Sequence, residues 1–87
     1  MERNVLVNEI IKICFEYGVI NKDENEDEIK SVIYHRLDEE EFIENLINAI
    51  ITKTRIRNDI DTGKLIEVLT ELEKIRLELE YKNHSII

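Results

Sequence analysis

Few residues here can do chemistry, and their spacing narrows the choice further. The one cysteine, Cys14, sits between Ile13 and Phe15, and the two histidines, His35 and His84, lie far along the chain from it. A nucleophilic thiol needs a neighbouring base. A Cys14–His35 pair can be written, and nothing in its spacing supports it. A cysteine inside an apolar run reads instead as a small hydrophobe, and a single cysteine leaves no intrachain disulfide and no cysteine-rich metal site. Asp59-Ile60-Asp61-Thr62-Gly63 opens like a calcium-binding loop. Such a loop needs glycine at its sixth position and a bidentate glutamate at its twelfth. Counted from Asp59, Gly63 is fifth, Lys64 sixth and Thr70 twelfth, so these residues read as a turn followed by a helix cap. The chain has no glycine-rich phosphate loop, no paired histidines on one helical face and no nucleophile elbow. The expectation is a non-catalytic protein with no metal and no cofactor.

Charge is the stronger signal. The net charge is −8, and residues 21–44 carry ten acids against Lys22, Lys30 and Arg36, which accounts for −7 of it. Such a balance disfavours broad affinity for phosphate backbones. Glu28, Asp38, Glu39, Glu40 and Glu41 form a candidate surface for a basic protein partner. The same acids also suit two helix N-termini, where the macrodipole favours negative charge. The one basic concentration is Lys53, Arg55, Arg57 and Lys64. Lys53, Arg55 and Arg57 could contact phosphates, and they equally complement the C-terminus of a helix. A helix-turn-helix reading would make Asp38-Glu39-Glu40-Glu41 the start of the recognition helix, which would meet phosphate with negative charge.

These side chains must be positioned by helices. The 87 residues include no proline and only two glycines, 43% are hydrophobic and 37% charged, a composition that favours long uninterrupted helices. The most apolar run is Phe42 to Ile51. Its apolar positions cover about half a helical wheel or more, against the ~100° stripe of an ordinary surface helix. It is too short to cross a bilayer, which takes ~20 residues, and reads as a central helix covered by two or three neighbours. Asp38 at its N-cap with Glu41 three residues later forms a capping box.

The first helix is expected from Asn4 or Val5 to Tyr17, capped by Asn4 and stopped by Gly18. Leu6, Ile10, Ile13, Cys14 and Tyr17 are its main stripe, widened by Val7, Ile11 and Phe15. A short second helix, about Glu28 to Leu37, can be capped by Asn25 or Asp27 and turns Ile29, Val32, Ile33 and Leu37 inward. The central helix should end near Lys53 or Arg55. The fourth, about Lys64 to Lys82, can be capped by Asp61 or Thr62. Its Leu65, Val68, Leu72, Ile75 and Leu79 are spaced as a heptad seam, which requires a partner helix from this chain or a second one. Arg76 falls inside that apolar face. It either exposes its head over the seam or pairs with an acid of a neighbouring helix.

The expected fold is therefore all-α: a single domain over 1–87, built as a small antiparallel bundle of about four helices, with 83–87 as a frayed tail. The surplus of apolar face predicts completion by dimerisation through Leu65, Val68, Leu72, Ile75 and Leu79. The N-terminus lacks a basic-then-apolar signal pattern, so a cytoplasmic location without membrane insertion is expected. The function expected is a small regulator or inhibitor that docks an acidic surface on a basic partner. The alternative is a nucleic-acid-binding regulator using Lys53, Arg55 and Arg57.

Overall fold

The computed structural model describes residues 1–55 and 62–84. Four helices follow one another: α1 (Arg3–Glu16), α2 (Glu26–Arg36), α3 (Glu40–Thr54) and α4 (Thr62–His84). No strand occurs among the described residues. None of their helices is long and apolar enough to cross a membrane.

α1 and α4 are the two inner helices, flanked by α2 and α3, and α1 supplies most to the core. Of the fifteen residues in the buried cluster, seven come from its stripe and C-terminal turn: Leu6, Val7, Ile10, Ile11, Ile13, Cys14 and Tyr17. Each fully buried aliphatic side chain stabilises the fold by roughly 1.5–3 kcal/mol, so this helix contributes the largest share of the core. It can bury so much because α2 packs on one part of its surface and α4 on another. The helix ends in a glycine C-cap. Gly18 takes φ +76°, and the Val19 and Ile20 amides donate back to the Cys14 carbonyl at 2.8 and 3.1 Å. The Val19 bond is the six-to-one closure of a Schellman motif. Val19 and Ile20 then fold against the core. The expected cap at Asn4 does not form. The helix starts one residue earlier, with Glu2 at the N-cap and no side-chain bond to it.

α2 keeps its Asn25 cap, whose Oδ1 accepts from the Glu28 amide at 3.1 Å. Ile33 and Leu37 are buried and Ile29 partly so, whereas Val32, expected to face inward, is 49% exposed. α2 has one main helical neighbour, α1, and a single neighbour covers only the i, i+4 line through 29, 33 and 37.

The expectation that Phe42–Ile51 is the central helix is also corrected. α3 packs chiefly on α4. It buries Ile43, Leu46, Ile50 and Thr54, while Phe42 and Ile47 are half-buried and Ile51 is exposed. The Phe42 ring packs against the edge of the core and is covered by the guanidinium of Arg36, the last residue of α2, 4.4 Å from its centroid. Buried Thr54 satisfies its hydroxyl by donating to the Ile51 carbonyl at 3.2 Å. The Asp38–Glu41 capping box is absent. Glu39 occupies the N-cap without a side-chain bond, and the Asp38 carboxylate takes the Arg3 guanidinium at 3.0 Å, a charge-assisted bond stronger than one to a neutral amide.

Contacts fix the helix directions. Lys64 reaches Glu9 at 3.7 Å and the Met1 amine lies 3.7 Å from Glu71, so α4 runs antiparallel to α1. Arg3 stacks over Tyr34, which sets α2 antiparallel to α1. Asn83 donates to Glu40 at 3.4 Å, so α3 and α4 are antiparallel as well. Asn83 and His84 continue α4 rather than fraying, while 85–87 lie outside the described residues, as do Ile60, Asp61 and the rest of 56–61.

Candidate functional site

The acidic residues separate into two groups. Glu26, Asp27 and Glu28 occupy the first turn of α2, and Glu40 and Glu41 the first turn of α3. Asp38 and Glu39 lie between the helices. Glu28, in the first turn of α2, and Asp38, just past its end, are separated by most of the helix, roughly 15 Å at 1.5 Å per residue. Glu28 is therefore at the opposite end of α2 from the other four candidate residues.

The α2–α3 junction is the richer end. Asp38, Glu39 and Glu41 are exposed and Glu40 is partly so. Arg3 holds Asp38, and Arg36 grips Glu39 with two bonds of 3.3 Å. Arg3 also lies over the Tyr34 ring, 5.0 Å from its centroid, and Tyr34 meets His35 edge-on at 5.6 Å. Beside this array an open depression is lined by Asn4, Val7, Asn8, Lys30, Ser31, Tyr34 and His35. The junction is thus a mixed acidic and aromatic surface. Arg3, Tyr34, Arg36 and Phe42 also belong to it; the sequence marks Arg36 only as a counter-charge and Phe42 only as a core residue, and does not single out Arg3 or Tyr34. The antiparallel pairing of α1 with α2, which brings Arg3 to Asp38 across 35 positions, is the signal that would have found Arg3.

Lys53 and Arg55 are exposed at the end of α3, where cations complement the helix dipole. Arg57, Asp59 and Asp61 lie outside the described residues. Lys64 is tied to acids: it bridges Glu9 of α1 at 3.7 Å and Glu67 of its own helix at 3.9 Å.

Cys14 and His35 are not brought together as a reactive pair. The thiol is fully buried in the α1 core, and burial pushes its pKa up to about 12, whereas His35 is exposed on α2. Among the described residues, no group of three or more His, Cys, Asp or Glu is placed to hold a metal ion.

The heptad seam of α4 faces inward. Leu65, Val68 and Leu72 are buried in the chain's own core, and Ile75 and Leu79 pack against it. The partner helices of the seam are α1 and α3 of the same chain, and Leu65, Val68 and Leu72 are closed to a second copy. Arg76 sits at the edge of this seam. It makes a two-bond fork to Glu73 and reaches Glu80 at 3.2 Å, both on its own helix. The Glu73 fork, helped by the charges of Glu80 and of Glu44 on α3, holds the guanidinium more firmly charged than usual. Arg76 in turn holds the Glu73 carboxyl below the ordinary range.

α4 also carries apolar side chains away from the core. Ile66 is 60%, Leu77 51% and Tyr81 78% exposed. An open apolar surface there is lined by Ile66, Leu69, Thr70, Glu73, Lys74 and Leu77. No family model matches the chain, and no curated protein or solved structure is similar to it.

Proposed function

We propose that this protein is a small non-catalytic interaction module, a regulator or inhibitor that acts as a homodimer and docks the α2–α3 junction on a basic protein surface. The observation that carries this reading is the exposure of Asp38, Glu39 and Glu41 within one bend, in a segment, 21–44, that holds −7 of the net charge. Tyr34 beside them adds the partly exposed aromatic surface on which interfaces draw for affinity, while the acids supply steering and orientation.

A decalysine peptide serves as the probe. Its binding is expected to weaken steeply between about 50 and 300 mM salt, since screening shortens the reach of exposed charges. Two triple variants change the net charge equally: Glu39→Lys/Glu40→Lys/Glu41→Lys at the junction, and Asp23→Lys/Glu24→Lys/Asp27→Lys at the far end of α2. With both confirmed folded by circular dichroism, the junction variant should lose binding at least about tenfold more than the distal one. Equal losses would mean the peptide senses only net charge, and would refute the junction as a docking site.

A further inference from the structure

The chain is built as two antiparallel hairpins, α1–α2 and α3–α4, and the packing of α1 on α4 joins them into one core. α2 and α3 share no main contact, although only Leu37, Asp38 and Glu39 separate them. Neither this bend nor the two helices beside it contain glycine or proline. Leu37 already holds helical angles, at φ −67° and ψ −5°. Glu39 leaves them, at φ −102° and ψ 112°, in a region open to any residue without strain. With the bend in helical angles, residues 26–54 would form one continuous helix. Leucine and glutamate are good helix formers and aspartate a tolerable one. The contacts around the bend carry over. Arg36 and Glu39 are a helical i, i+3 pair, and Tyr34 and Asp38, both met by Arg3, fall four apart on one face.

Straightening pulls the hairpins apart, because α1 lies along α2 and α4 along α3. The α1 and α4 surfaces that met in the monomer can then no longer meet within one chain. A second straightened copy supplies both missing surfaces, α1 of each chain receiving α4 of the other about a two-fold axis. No new complementarity is needed, since each half of such a dimer reproduces one monomer. The α4 seam, closed while its own α1 is in place, packs on α1 of the second copy, and the Glu9–Lys64 bridge of 3.7 Å becomes a bond between chains.

We propose that the α2–α3 bend is the hinge of a domain-swapped homodimer, in which the α3–α4 hairpin of each copy packs on the α1–α2 hairpin of the other. The inference rests on the homodimer part of the proposed function and gives that dimer its contact. The core is the same in both forms, so concentration and the bends decide between them. Each half keeps Leu37 beside Glu40, which brings the two bends together at the axis. Asp38, Glu39, Glu40 and Glu41 of each copy crowd there, a repulsion that favours the monomer at low salt and is screened at high salt. Exchange requires the core to open, so a dimer once formed dissociates only as slowly as the protein unfolds.

Refolding from urea at about 1 mM rather than about 10 µM favours pairing by mass action. Light scattering on a sizing column should then show a dimer that persists on dilution, in greater yield at about 1 M salt than at about 50 mM. A mixture of heavy-isotope and unlabelled chains, refolded together, reads the topology. A carbodiimide joins the Glu9 carboxylate to the Lys64 amine, and in the isolated dimer heavy–light links should appear. Glu40 is the first residue of α3, where proline fits, whereas inside a continuous helix proline is a breaker. Glu40→Pro should therefore keep the monomer fold by circular dichroism and lower the dimer yield at least about tenfold, with a break in both long helices. Glu40→Ala removes the same acid and should raise the yield. Inserting Gly-Ser-Gly after Asp38 breaks the long helix by another route and should also suppress the dimer. A monomer under every condition overturns the swap and the homodimer reading together. A dimer whose links all join like-labelled peptides, or whose yield falls with salt, overturns the swap and leaves the homodimer reading standing. A yield unchanged by both the folded proline variant and the insertion overturns this bend as the hinge. The acidic docking surface is tested separately by the decalysine assay.

Discussion

Gly18 offers a perturbation whose size can be worked from geometry alone. Its φ of +76° is left-handed, and a Cβ built there meets nothing within 4 Å. Gly18→Ala therefore costs backbone energy with no clash added, roughly 1–2 kcal/mol for an L-residue held in the left-handed region. For a chain of this size the total stability is about 4–13 kcal/mol, so the loss is large. It should lower the melting temperature by about 4–16 °C, at 4–8 °C per kcal/mol for a small domain. Urea unfolding followed by circular dichroism is the assay, and the m-value should stay constant because the folded surface is unchanged. Asparagine, which tolerates this conformation better, should cost less than alanine. D-alanine, introduced by chemical synthesis, prefers positive φ and should stabilise by about 0.4–1 kcal/mol through the unfolded chain. A D-alanine variant as unstable as the L-alanine one would refute the reasoning, since handedness would then not be the source of the cost.

Adjacent residues on α2 give a second test. Ile33→Ala should cost about 2–4 kcal/mol by cavity formation, whereas Val32→Ala should stay within about 0.5 kcal/mol; equal losses in urea would place both side chains inside. Cys14 gives a pH signature. Its folded pKa of about 12 lies above the ordinary 9.0, so between those values the folded state binds one proton more than the unfolded. Stability relative to Cys14→Ala should be constant below pH 9 and then fall by up to about 1.4 kcal/mol per pH unit toward pH 12. A thiol reagent should accordingly label the native protein only at its opening rate and the urea-unfolded chain at once; equally fast labelling of both would mean an accessible thiol.

Local signals were legible in the sequence and relations between helices were not. The Asn25 cap and the Gly18 stop depend on residues within five positions of one another, and the four helical stretches follow from apolar periodicity. Which helix is central depends on who its neighbours are. α1 and α3 have similarly wide apolar arcs, and nothing local says that α1 receives helices on two sides while α3 leaves Ile51 exposed. Val32 faces solvent for the same reason: a wheel shows where apolar residues point, not how many partners cover them. Asp38 reads as a cap until Arg3 arrives from 35 positions away. On α4 the regular heptad of Leu65, Val68 and Leu72 drew the interface onto the side that the chain fills by itself. The irregular stripe of Ile66, Leu77 and Tyr81 signals little until the core side is known. For the junction surface, the acids were visible and the Arg3, Tyr34 and Arg36 framework around them was not.

The placement of α1 between α2 and α4 also sets a timetable. Lys64 follows its partner Glu9 by 55 positions, so during synthesis at about 5–20 residues per second the apolar stripe of α1 waits roughly 3–11 s for the helix that closes over it. Through that interval α2 is the one main partner of α1 already made, and its narrow line of Ile29, Ile33 and Leu37 leaves much of the stripe wet. The segment made in between, 21–44, is the one that carries −7. The emerging chain is thus joined to its own repulsive charge while its most adhesive helix is uncovered, and neighbouring nascent copies are kept apart until α4 is complete. Neutralising those acids should then lower the yield of soluble protein more than it lowers the stability of protein already folded.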